Sequence, residues 1–388
     1  MSGWQALNLL LGAGLGAAWL YHAVAAWLGM PQIADLTRPE HAVPDASGLP
    51  RVSIIVPARN EAAMIGAAVG SLLALDYPDY EVVVVNDRSE DATGAILQRL
   101  QAGDPRLTVL EVRELPAGWL GKTHAMWRAG EVATGEWLLF SDADVVHTPQ
   151  SLGRAVHYAV TERADHLVLF PTMLMKSVGE RMMTAFFQSL FVFANRPWKV
   201  RDPRARDCIG VGAFNLVRRE AYEKIGTYES MRLCVVDDMR LAERVKRAGL
   251  SSRVAMGNGL VNIHWADGAL GMVHNLTKNF FAYLRYSPAL ALGACCAILW
   301  MNLGPWLGTA LATGWARDGY GLALVCILAV YWELSRRIEI SPGYVLLHPV
   351  ACVLMAYALL LSTAVTLNRG GVVWRGTFYP LAELKKRG

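Results

Sequence analysis

The sequence has few charged residues, and this scarcity is its first informative feature. Asp, Glu, Lys and Arg together make up 18% of the 388 residues, whereas hydrophobic residues make up 54% and the mean hydropathy is +0.27. Typical soluble chains carry about 25% charged residues. The composition therefore excludes a disordered or low-complexity protein and implies that part of the chain lies in lipid. The formal net charge of +4 is too small to indicate a nucleic-acid partner, but it is compatible with an anionic substrate or membrane surface.

The sequence also lacks the cysteine pairs and glycine-rich motifs of several common sites. It has six cysteines and no Cys-x-x-Cys motif, which argues against a disulfide framework and against a zinc site. No Gly-x-Gly-x-x-Gly follows the first predicted strand, so a dinucleotide site is disfavoured. The run GWLGKT ends like a phosphate-binding loop, but Pro116 occupies the position where that loop needs its first glycine.

Long uncharged runs at both ends of the chain predict membrane helices. The first run, 4–30, exceeds the roughly 20 apolar residues that cross a bilayer, and the first basic residue, Arg38, follows it. This order favours a retained anchor with the N-terminus outside and the next domain in the cytosol. Three more segments are predicted near the C-terminus, at 288–315, 320–332 and 340–367. The middle one is short enough to be re-entrant, and three full crossings would leave the basic residues 385–387 outside, against the usual charge bias.

The stretch between the apolar ends has ordinary charge content and is long enough for one substantial globular domain. The predicted organisation is an N-terminal transmembrane helix at 1–30, a linker at 31–49, a cytosolic domain at 50–285, a transmembrane region at 286–368 and a basic tail at 369–388.

Strand and helix signals alternate within this domain, which predicts a parallel sheet covered by helices on both faces. Strands are expected at 52–56, 81–87, 107–112 and 137–140, and helices at 61–73, 91–100 and 123–133. Pro57 is expected to end the first strand and Asn60 to cap the helix after it. Asn60, Asp87, Asp142 and Asp144 all fall at strand ends, where sheets of this kind bind their ligands.

Two pairs of aspartates are the candidates for chemistry. Asp142 and Asp144 follow an apolar strand two residues apart, so that on an extended chain both carboxylates point to one side. Hard oxygen donors of this kind suit Mg²⁺ or Mn²⁺ that bridges phosphate oxygens. Asp237 and Asp238 precede a helix predicted over 239–247. One of them is expected to cap that helix, and the other to be a rigidly aimed general base.

Six motifs, taken as a set, resemble those of family 2 glycosyltransferases of the GT-A fold. They are PARNE at 57–61, ND at 86–87, GKTHAM at 121–126, SDAD at 141–144, GVGAF at 210–214 and VDDMRLAERVKRAG at 236–249. The likeness covers about 50–285, and the membrane-anchored layout is most similar to hopanoid-associated and ceramide-glucosyltransferase-like members. The resemblance implies an α/β, nucleotide-diphospho-sugar transferase domain with a Rossmann-like, mostly parallel sheet, joined to α-helical transmembrane segments.

The resemblance also implies a role for each matching residue. These roles are Pro57, Ala58, Asn60 and Glu61 in the nucleotide pocket, Asp87 on the uracil, Lys122 near the diphosphate, Asp142 on the nucleotide sugar, Asp144 on the metal (Mg²⁺ or Mn²⁺), Asp238 as the catalytic base and Asp237 as its neighbour. Within the pocket, Glu61 would lie near the ribose.

One family motif is missing. The Gln/Arg-x-x-Arg-Trp motif of processive and ceramide-type members is absent, and HNLTKNFFAYLRYS, at 274–287, stands in its region. This absence argues against a processive polysaccharide synthase and leaves open which residues place positive charge over the diphosphate. Lys278 and Arg285 are candidates; alternatively, both are juxtamembrane residues that meet lipid headgroups.

The sequence as a whole predicts an inverting glycosyltransferase that moves a hexose from a UDP-linked sugar to a hydroxyl group of a membrane lipid. Transfer to a polyprenyl phosphate or a polysaccharide is an alternative, and a transport protein with a nucleotide-binding domain is an alternative of a different class. Transport is disfavoured because the membrane segments carry few ionisable residues. The aromatic-rich stretch 178–199 is either part of a core or an interfacial helix that opens a path for the acceptor.

Overall fold

The structure is a computed structural model that describes residues 2–43, 46–338 and 340–387. Linker positions 44 and 45, position 388, and the side chains of Lys386 and Arg387 in the predicted basic tail lie outside the described part. The chain forms two compact units. The helical unit comprises Met1–Gln32, Met175–Arg196 and Ala266–Val372, and the sheet unit comprises Ile33–Leu174, Pro197–Trp265 and Val373–Gly388. The tail that follows the last membrane segment therefore belongs to the sheet unit.

The strands, in chain order, are β1 (Ala34–Asp35), β2 (Val52–Ala58), β3 (Tyr80–Asp87), β4 (Leu107–Val112), β5 (Trp137–Phe140), β6 (Val146–His147), β7 (His166–Phe170), β8 (Thr172–Met173), β9 (Asn215–Arg218), β10 (Ser252–Met256), β11 (Val261–Ile263), β12 (Gly371–Trp374) and β13 (Thr377–Pro380). The helices are α1 (Gly3–Gly29), α2 (Ile65–Leu73), α3 (Thr93–Gly103), α4 (Gly121–Val132), α5 (Ser151–Thr161), α6 (Val178–Asn195), α7 (Arg219–Lys224), α8 (Asp237–Arg247), α9 (Gly268–Thr277), α10 (Phe280–Tyr283), α11 (Pro288–Leu311), α12 (Trp315–Ser335), α13 (His348–Arg369) and α14 (Leu381–Arg387).

An eight-stranded sheet forms the centre of the sheet unit, in the order β1-β10-β7-β9-β5-β2-β3-β4. Every pairing is parallel except those of β9, which runs antiparallel to β5 and β7. The central strands are apolar throughout because both of their faces are covered, and the run Val82–Val85 in β3 has no exposed surface. Neighbouring parallel strands place their carboxyl ends at one edge, which brings the ends of β2, β3 and β5 together.

The predicted strands and helices occur with small shifts, and the local expectations for Pro57 and Asn60 were wrong. Pro57 does not end its strand, since β2 continues to Ala58 in register with β3. β5 pairs with β2 only over Val52–Ile55. Pro57 lies beyond that pairing, so β2 accommodates a residue that has no N–H to donate to β5. Asn60 is not a helix cap, because α2 begins only at Ile65. Asn60 adopts a positive φ of 54°, and its side-chain oxygen accepts a hydrogen bond from the distant Glu90 N–H at 2.8 Å.

Among the residues that the structure describes, four helices are long and apolar enough to cross a membrane, as the sequence predicted. Their ranges are Gly3–Gln32, Pro288–Leu311, Trp315–Ser335 and Pro342–Arg369. In the helical unit α1 packs closely against α12. A side-chain carbon at Gly12 would lie 2.5 Å from the carbonyl oxygen of Ala316, and one at Gly16 would lie 2.6 Å from that of Gly319. Small residues four apart thus allow the two backbones to touch, as is common between membrane helices.

The aromatic-rich stretch forms α6, which lies in the helical unit. Phe186 is buried and packs edge-on against His348, with 5.0 Å between ring centroids, and Phe193 lies 4.3 Å from the ring of His22. The helix therefore contributes to the packing of the apolar unit, although its sequence range falls inside the expected globular domain.

Candidate active site

Lys122 lies at the centre of a group of carboxylates at the carboxyl edge of the sheet. The α4 helix carries it, and β5 leads directly into Asp142. The Lys122 ammonium lies 2.7 Å from Asp142 Oδ1 and 3.4 Å from Asp237 Oδ1. Asp237 begins α8, so residues more than a hundred positions apart meet at one ammonium group.

The charge state of Lys122 follows from two opposing effects. Burial disfavours the charged form, but the carboxylates of Asp142, Asp237 and Asp238 outweigh it and raise the Lys122 pKa well above its usual value. Lys122 is therefore always protonated at physiological pH, and its charge is already matched by neighbouring acids.

Asp237 is the buried member of the aspartate pair, with 3% of its surface exposed. The Tyr228 hydroxyl donates to its Oδ2 at 3.4 Å, on the side away from Lys122. Burial raises the Asp237 pKa, while Lys122 opposes that rise. The sequence assigned one of the two aspartates to a capping role, but neither is the cap, because Val236 occupies that position and both lie in the first turn.

Asp238 is held by backbone groups and is partly accessible. Its Oδ2 accepts a hydrogen bond from the Gly212 N–H at 3.0 Å, and its Oδ1 accepts one from the Met239 N–H at 2.7 Å. Burial, and then the negative charge of Asp237, raise the Asp238 pKa to about 7. Each carboxylate oxygen keeps a further lone pair. A fixed carboxylate with a pKa near neutrality has the properties of a general base.

Gly210 and Gly212 make this arrangement sterically possible. A side-chain carbon at Gly212 would overlap the Asp142 carboxylate, and one at Gly210 would overlap the backbone carbonyl of Asp238. The Asp142 N–H also donates to the Gly212 carbonyl at 3.0 Å. The segment between these glycines thus links the two aspartate pairs. No role was predicted for this motif, although its Gly-x-Gly spacing is the signal in the sequence for a close backbone approach.

Asp144 lies at the accessible side of the group. Desolvation, and then the negative charges of Asp142 and Glu61, raise the pKa of Asp144 to about 6. Because its charge acts on Asp144, Glu61 belongs to the same electrostatic site. The Glu61 backbone N–H donates a hydrogen bond to the Thr93 hydroxyl at 2.8 Å, which fixes its position. The three carboxylates together carry more negative charge than nearby cations neutralise.

Asp87 lies beside the N-terminus of α4. Two nitrogens of the Arg88 guanidinium donate to its carboxylate: Nε to Oδ1 at 2.7 Å and Nη2 to Oδ2 at 2.9 Å. A side-chain carbon at Gly121 would overlap Asp87, so this glycine lets the helix begin next to the carboxylate. Because Gly121 precedes Lys122, the Asp87 and Lys122 positions are neighbouring parts of one region. Pro57 and Ala58 end the adjacent strand β2 and are in register with Val85 and Asn86.

A divalent cation would find suitable donors here. Within the described ranges 2–43, 46–338 and 340–387, no three His, Cys, Asp or Glu side chains are grouped closely enough to hold a metal by themselves. Mg²⁺ is commonly bound by one or two carboxylates together with substrate phosphates and water. Asp142 and Asp144 supply two such oxygens. The raised pKa of Asp144 reflects desolvation first and neighbouring negative charge second, and a bound cation would offset both.

The C-terminal tail supplies two residues to this region that the sequence analysis did not select. Arg375 forms an ion pair with Glu61, and the Gly121 N–H donates to the Tyr379 hydroxyl at 3.3 Å. No local pattern in the sequence indicated these contacts, because more than 250 residues separate the partners.

The fold and the comparisons with known proteins define the class. Residues 53–226 match the family model described as Glycosyl transferase family 2. The 4,4'-diaponeurosporenoate glycosyltransferase of Staphylococcus aureus (strain MRSA252) is 23% identical over 340 residues, which cover 86% of this chain and 89% of that protein. Its counterpart from strain bovine RF122 / ET3-1 has the same identity and coverage.

A solved structure resembles the whole chain. The mannosyltransferase PcManGT from Pyrobaculum calidifontis, in complex with GDP-Man and Mn²⁺, aligns with a TM-score of 0.55 and 22% identity, covering 93% of this chain and 98% of that one. The sheet unit therefore has the GT-A fold, as predicted. The match over 53–226 and the GT-A fold together confirm the predicted enzyme class, a glycosyltransferase.

Proposed function

We propose that this protein transfers a hexose from a UDP-linked sugar to a hydroxyl group of a membrane lipid, with inversion at the anomeric carbon. The observation that carries the proposal is the convergence of Asp142, Asp237 and Asp238 on the Lys122 ammonium, with Asp144 beside them. This group combines a fixed general base with a site for a cation and a diphosphate, which are the two requirements of the reaction.

On the donor side, the pocket is formed by residues at the ends of β2, β3 and β5. Pro57, Ala58, Asn60 and Glu61 would line the nucleoside, and Asp87 would accept a hydrogen bond from the uracil N–H once Arg88 yields one of its oxygens. Asp142 would contact the nucleotide sugar while Lys122 fixes its orientation.

Asp144, with Asp142, would hold Mg²⁺ or Mn²⁺. A divalent cation bound there would neutralise negative charge on the leaving diphosphate. The chain's own contribution is to keep both carboxylates close together in a partly desolvated place, at the expense of a raised Asp144 pKa.

On the acceptor side, Asp238 would take the proton from the attacking hydroxyl group. The bond from C1 to the diphosphate oxygen breaks, its electron pair leaves with UDP, and the acceptor oxygen forms the new bond to C1. A single displacement of this kind inverts the configuration. The Gly212 and Met239 N–H groups hold the base, so little reorganisation is needed.

A lipid acceptor is supported by the amount of apolar surface that the chain devotes to membrane helices. It is also supported by the relative named 4,4'-diaponeurosporenoate glycosyltransferase, whose 340 aligned residues extend beyond the globular domain. The membrane-anchored layout resembles hopanoid-associated and ceramide-glucosyltransferase-like members, and we assign the sheet unit to the cytosolic side, where nucleotide sugars are made.

The Asp238→Asn substitution tests the assignment of the base. We expect turnover to fall by at least about 100-fold, because the amide cannot accept the proton, while UDP-sugar binding stays within about twofold. Turnover would be followed by release of UDP in detergent with host lipid extract, and binding by calorimetry. Asp76→Asn, an exposed aspartate before β3, is the matched control and should behave like the wild type. Unchanged turnover in Asp238→Asn would remove this residue from the mechanism.

The donor and acceptor are tested with the wild type. The solubilised protein is incubated with a panel of radiolabelled UDP- and GDP-sugars and with fractions of the host's lipids. Label that moves from a UDP-hexose into an organic-soluble product supports the proposal, whereas label that enters only a water-soluble polymer contradicts the lipid acceptor.

A further inference from the structure

The C-terminal tail makes a tight turn at the donor side of the active site. Strands β12 and β13 are joined by two residues only, Arg375 and Gly376, with φ values of 48° and 77°. A two-residue hairpin with a type I′ turn has positive φ at both central positions, which glycine adopts readily and arginine rarely does. The backbone thus holds an arginine at the tip of the hairpin in an unfavourable conformation.

Two contacts fix the Arg375 guanidinium beside β2. Its Nη1 donates to the carbonyl oxygen of Arg59 at 2.9 Å, and its Nη2 is paired with Glu61. Arg59 in turn donates to the Thr377 hydroxyl at 3.3 Å, so the hairpin and the end of β2 are joined from both sides. Glu61 also interacts electrostatically with Asp144, so this carboxylate links the guanidinium to the candidate metal ligand.

A second anchor joins the hairpin to the other half of the pocket. The Tyr379 hydroxyl accepts from the Gly121 N–H at 3.3 Å and also interacts with Arg88, the partner of Asp87. The tail therefore reaches both the end of β2 and the start of α4, which flank the proposed position of the donor.

The distribution of charge indicates what Arg375 can do. Lys122 is surrounded by three carboxylates and brings no uncompensated positive charge to a diphosphate. Within the described part of the chain, Arg375 forms its ion pair with a single carboxylate, Glu61, and 47% of its side chain is exposed. A guanidinium group binds phosphate oxygens through two parallel hydrogen bonds, which an ammonium group cannot do.

We infer that Arg375 binds the diphosphate of the nucleotide-sugar donor, and that the hairpin turn thereby supplies the positive charge left unassigned by the missing family motif. In this role Arg375 exchanges Glu61 for the phosphate oxygens and releases the Glu61 carboxylate towards the ribose. The inference rests on the proposed function, because it requires the donor to occupy the edge of β2 and β3. Tyr379 is a positioning residue for the hairpin.

The test compares a nucleotide with its nucleoside. Dissociation constants are measured for UDP by calorimetry and for uridine by ligand-observed NMR, in the detergent-solubilised full-length protein. In Arg375→Ala we expect UDP binding to weaken by about 10- to 100-fold, as for the loss of a charge-assisted pair, while uridine binding changes less than about threefold. Arg375→Lys should lie between, because it keeps the charge but not the paired geometry.

Arg99→Ala is the matched control, since Arg99 is an exposed arginine on α3 of the same unit. Thermal unfolding of each variant separates a loss of structure from a loss of contact. Equal UDP affinities in the wild type and Arg375→Ala, or an equal weakening of UDP and uridine, would overturn the inference and leave Arg375 as a tether for the tail. A wild type that binds neither UDP nor GDP would instead overturn the proposed function itself.

Discussion

At the scale of single residues, the site is defined by an excess of carboxylates over cations. The protein keeps Lys122 charged by surrounding it with Asp142, Asp237 and Asp238, and it tolerates raised pKa values for Asp144 and Asp238 in return. A divalent cation bound beside Asp144 would offset this excess of negative charge. The perturbed residues are those to which the proposed mechanism gives a role, and perturbed pKa values are common in active sites.

The pKa of Asp238 predicts the pH dependence of the reaction. Below a pKa of about 7 the carboxyl group is protonated and cannot accept a proton, so kcat/KM should fall about tenfold per pH unit on the acid side. The profile should be measured at saturating metal, so that protonation of Asp144, with a pKa of about 6, does not limit the rate. In Asp237→Asn the acid limb of the profile should move to lower pH, because the negative charge that raises the Asp238 pKa is lost. A flat wild-type profile from pH 5.5 to 8 would contradict the assignment.

Residue identities were easier to predict than their partners. The carboxylates at 87, 142, 144 and 238 stand out in the sequence because strand ends and helix starts are local signals. Asn60 was misread for the same reason: its residue type suits a cap, but a hydrogen bond from Glu90, thirty positions away, holds it in a turn instead. The importance of Gly212 depends on Asp142 and Asp238 lying on either side of it, which no local pattern reveals.

At the scale of elements, the small residues between α1 and α12 allow close helix packing. Apolar side chains alone do not drive association in lipid, so close backbone contact is a main source of stability between such helices. Gly12 and Gly16 lie against Ala316 and Gly319. The repeat of glycine at four-residue spacing in the first apolar run is therefore a packing feature as well as a mark of composition.

Substitution within α1 tests this packing. Gly12→Ala and Gly16→Ala should each destabilise the protein by about 1–3 kcal/mol, because the added carbon meets backbone that cannot move aside. Gly14→Ala is the control on the same helix: no atom lies within 4 Å of its added carbon, and alanine favours helix. Thermal unfolding in detergent measures the difference, and equal melting temperatures for the three variants would show that the contact contributes nothing.

At the scale of the whole molecule, the tail constrains the membrane topology. Val373–Gly388 belongs to the sheet unit, and Arg375 and Tyr379 contact Glu61 and Gly121 of that unit. A compact unit lies on one side of a membrane, so the chain between Trp265 and Val373 must cross an even number of times. Three full crossings at α11, α12 and α13 would not meet that requirement, so we expect one of the three segments to enter and return on the same side.

Vesicle labelling tests this topology. A tag after residue 388 and protease-sensitive loops of the sheet unit should be attacked from the same side of the membrane, and a tag before residue 2 should be attacked from the other side because α1 crosses once. Inside-out and right-side-out vesicles expose opposite faces of the membrane, so protease access to each site is measured from both sides. A C-terminal tag and a sheet unit found on opposite sides would contradict the docking of the tail, and with it the role of Arg375.

The sequence by itself determined the class of this protein: apolar runs long enough for a bilayer, alternating strands and helices, and aspartates at the ends of those elements. These are local properties, because hydropathy, periodicity and residue chemistry are read from neighbouring positions. Only the tertiary structure decided that Lys122 is shared among three aspartates, that Gly212 joins the two pairs, and that a hairpin after the last membrane helix returns to Glu61. Those contacts join segments tens to hundreds of residues apart, and the folding of the sheet, rather than any short stretch of sequence, brings them together.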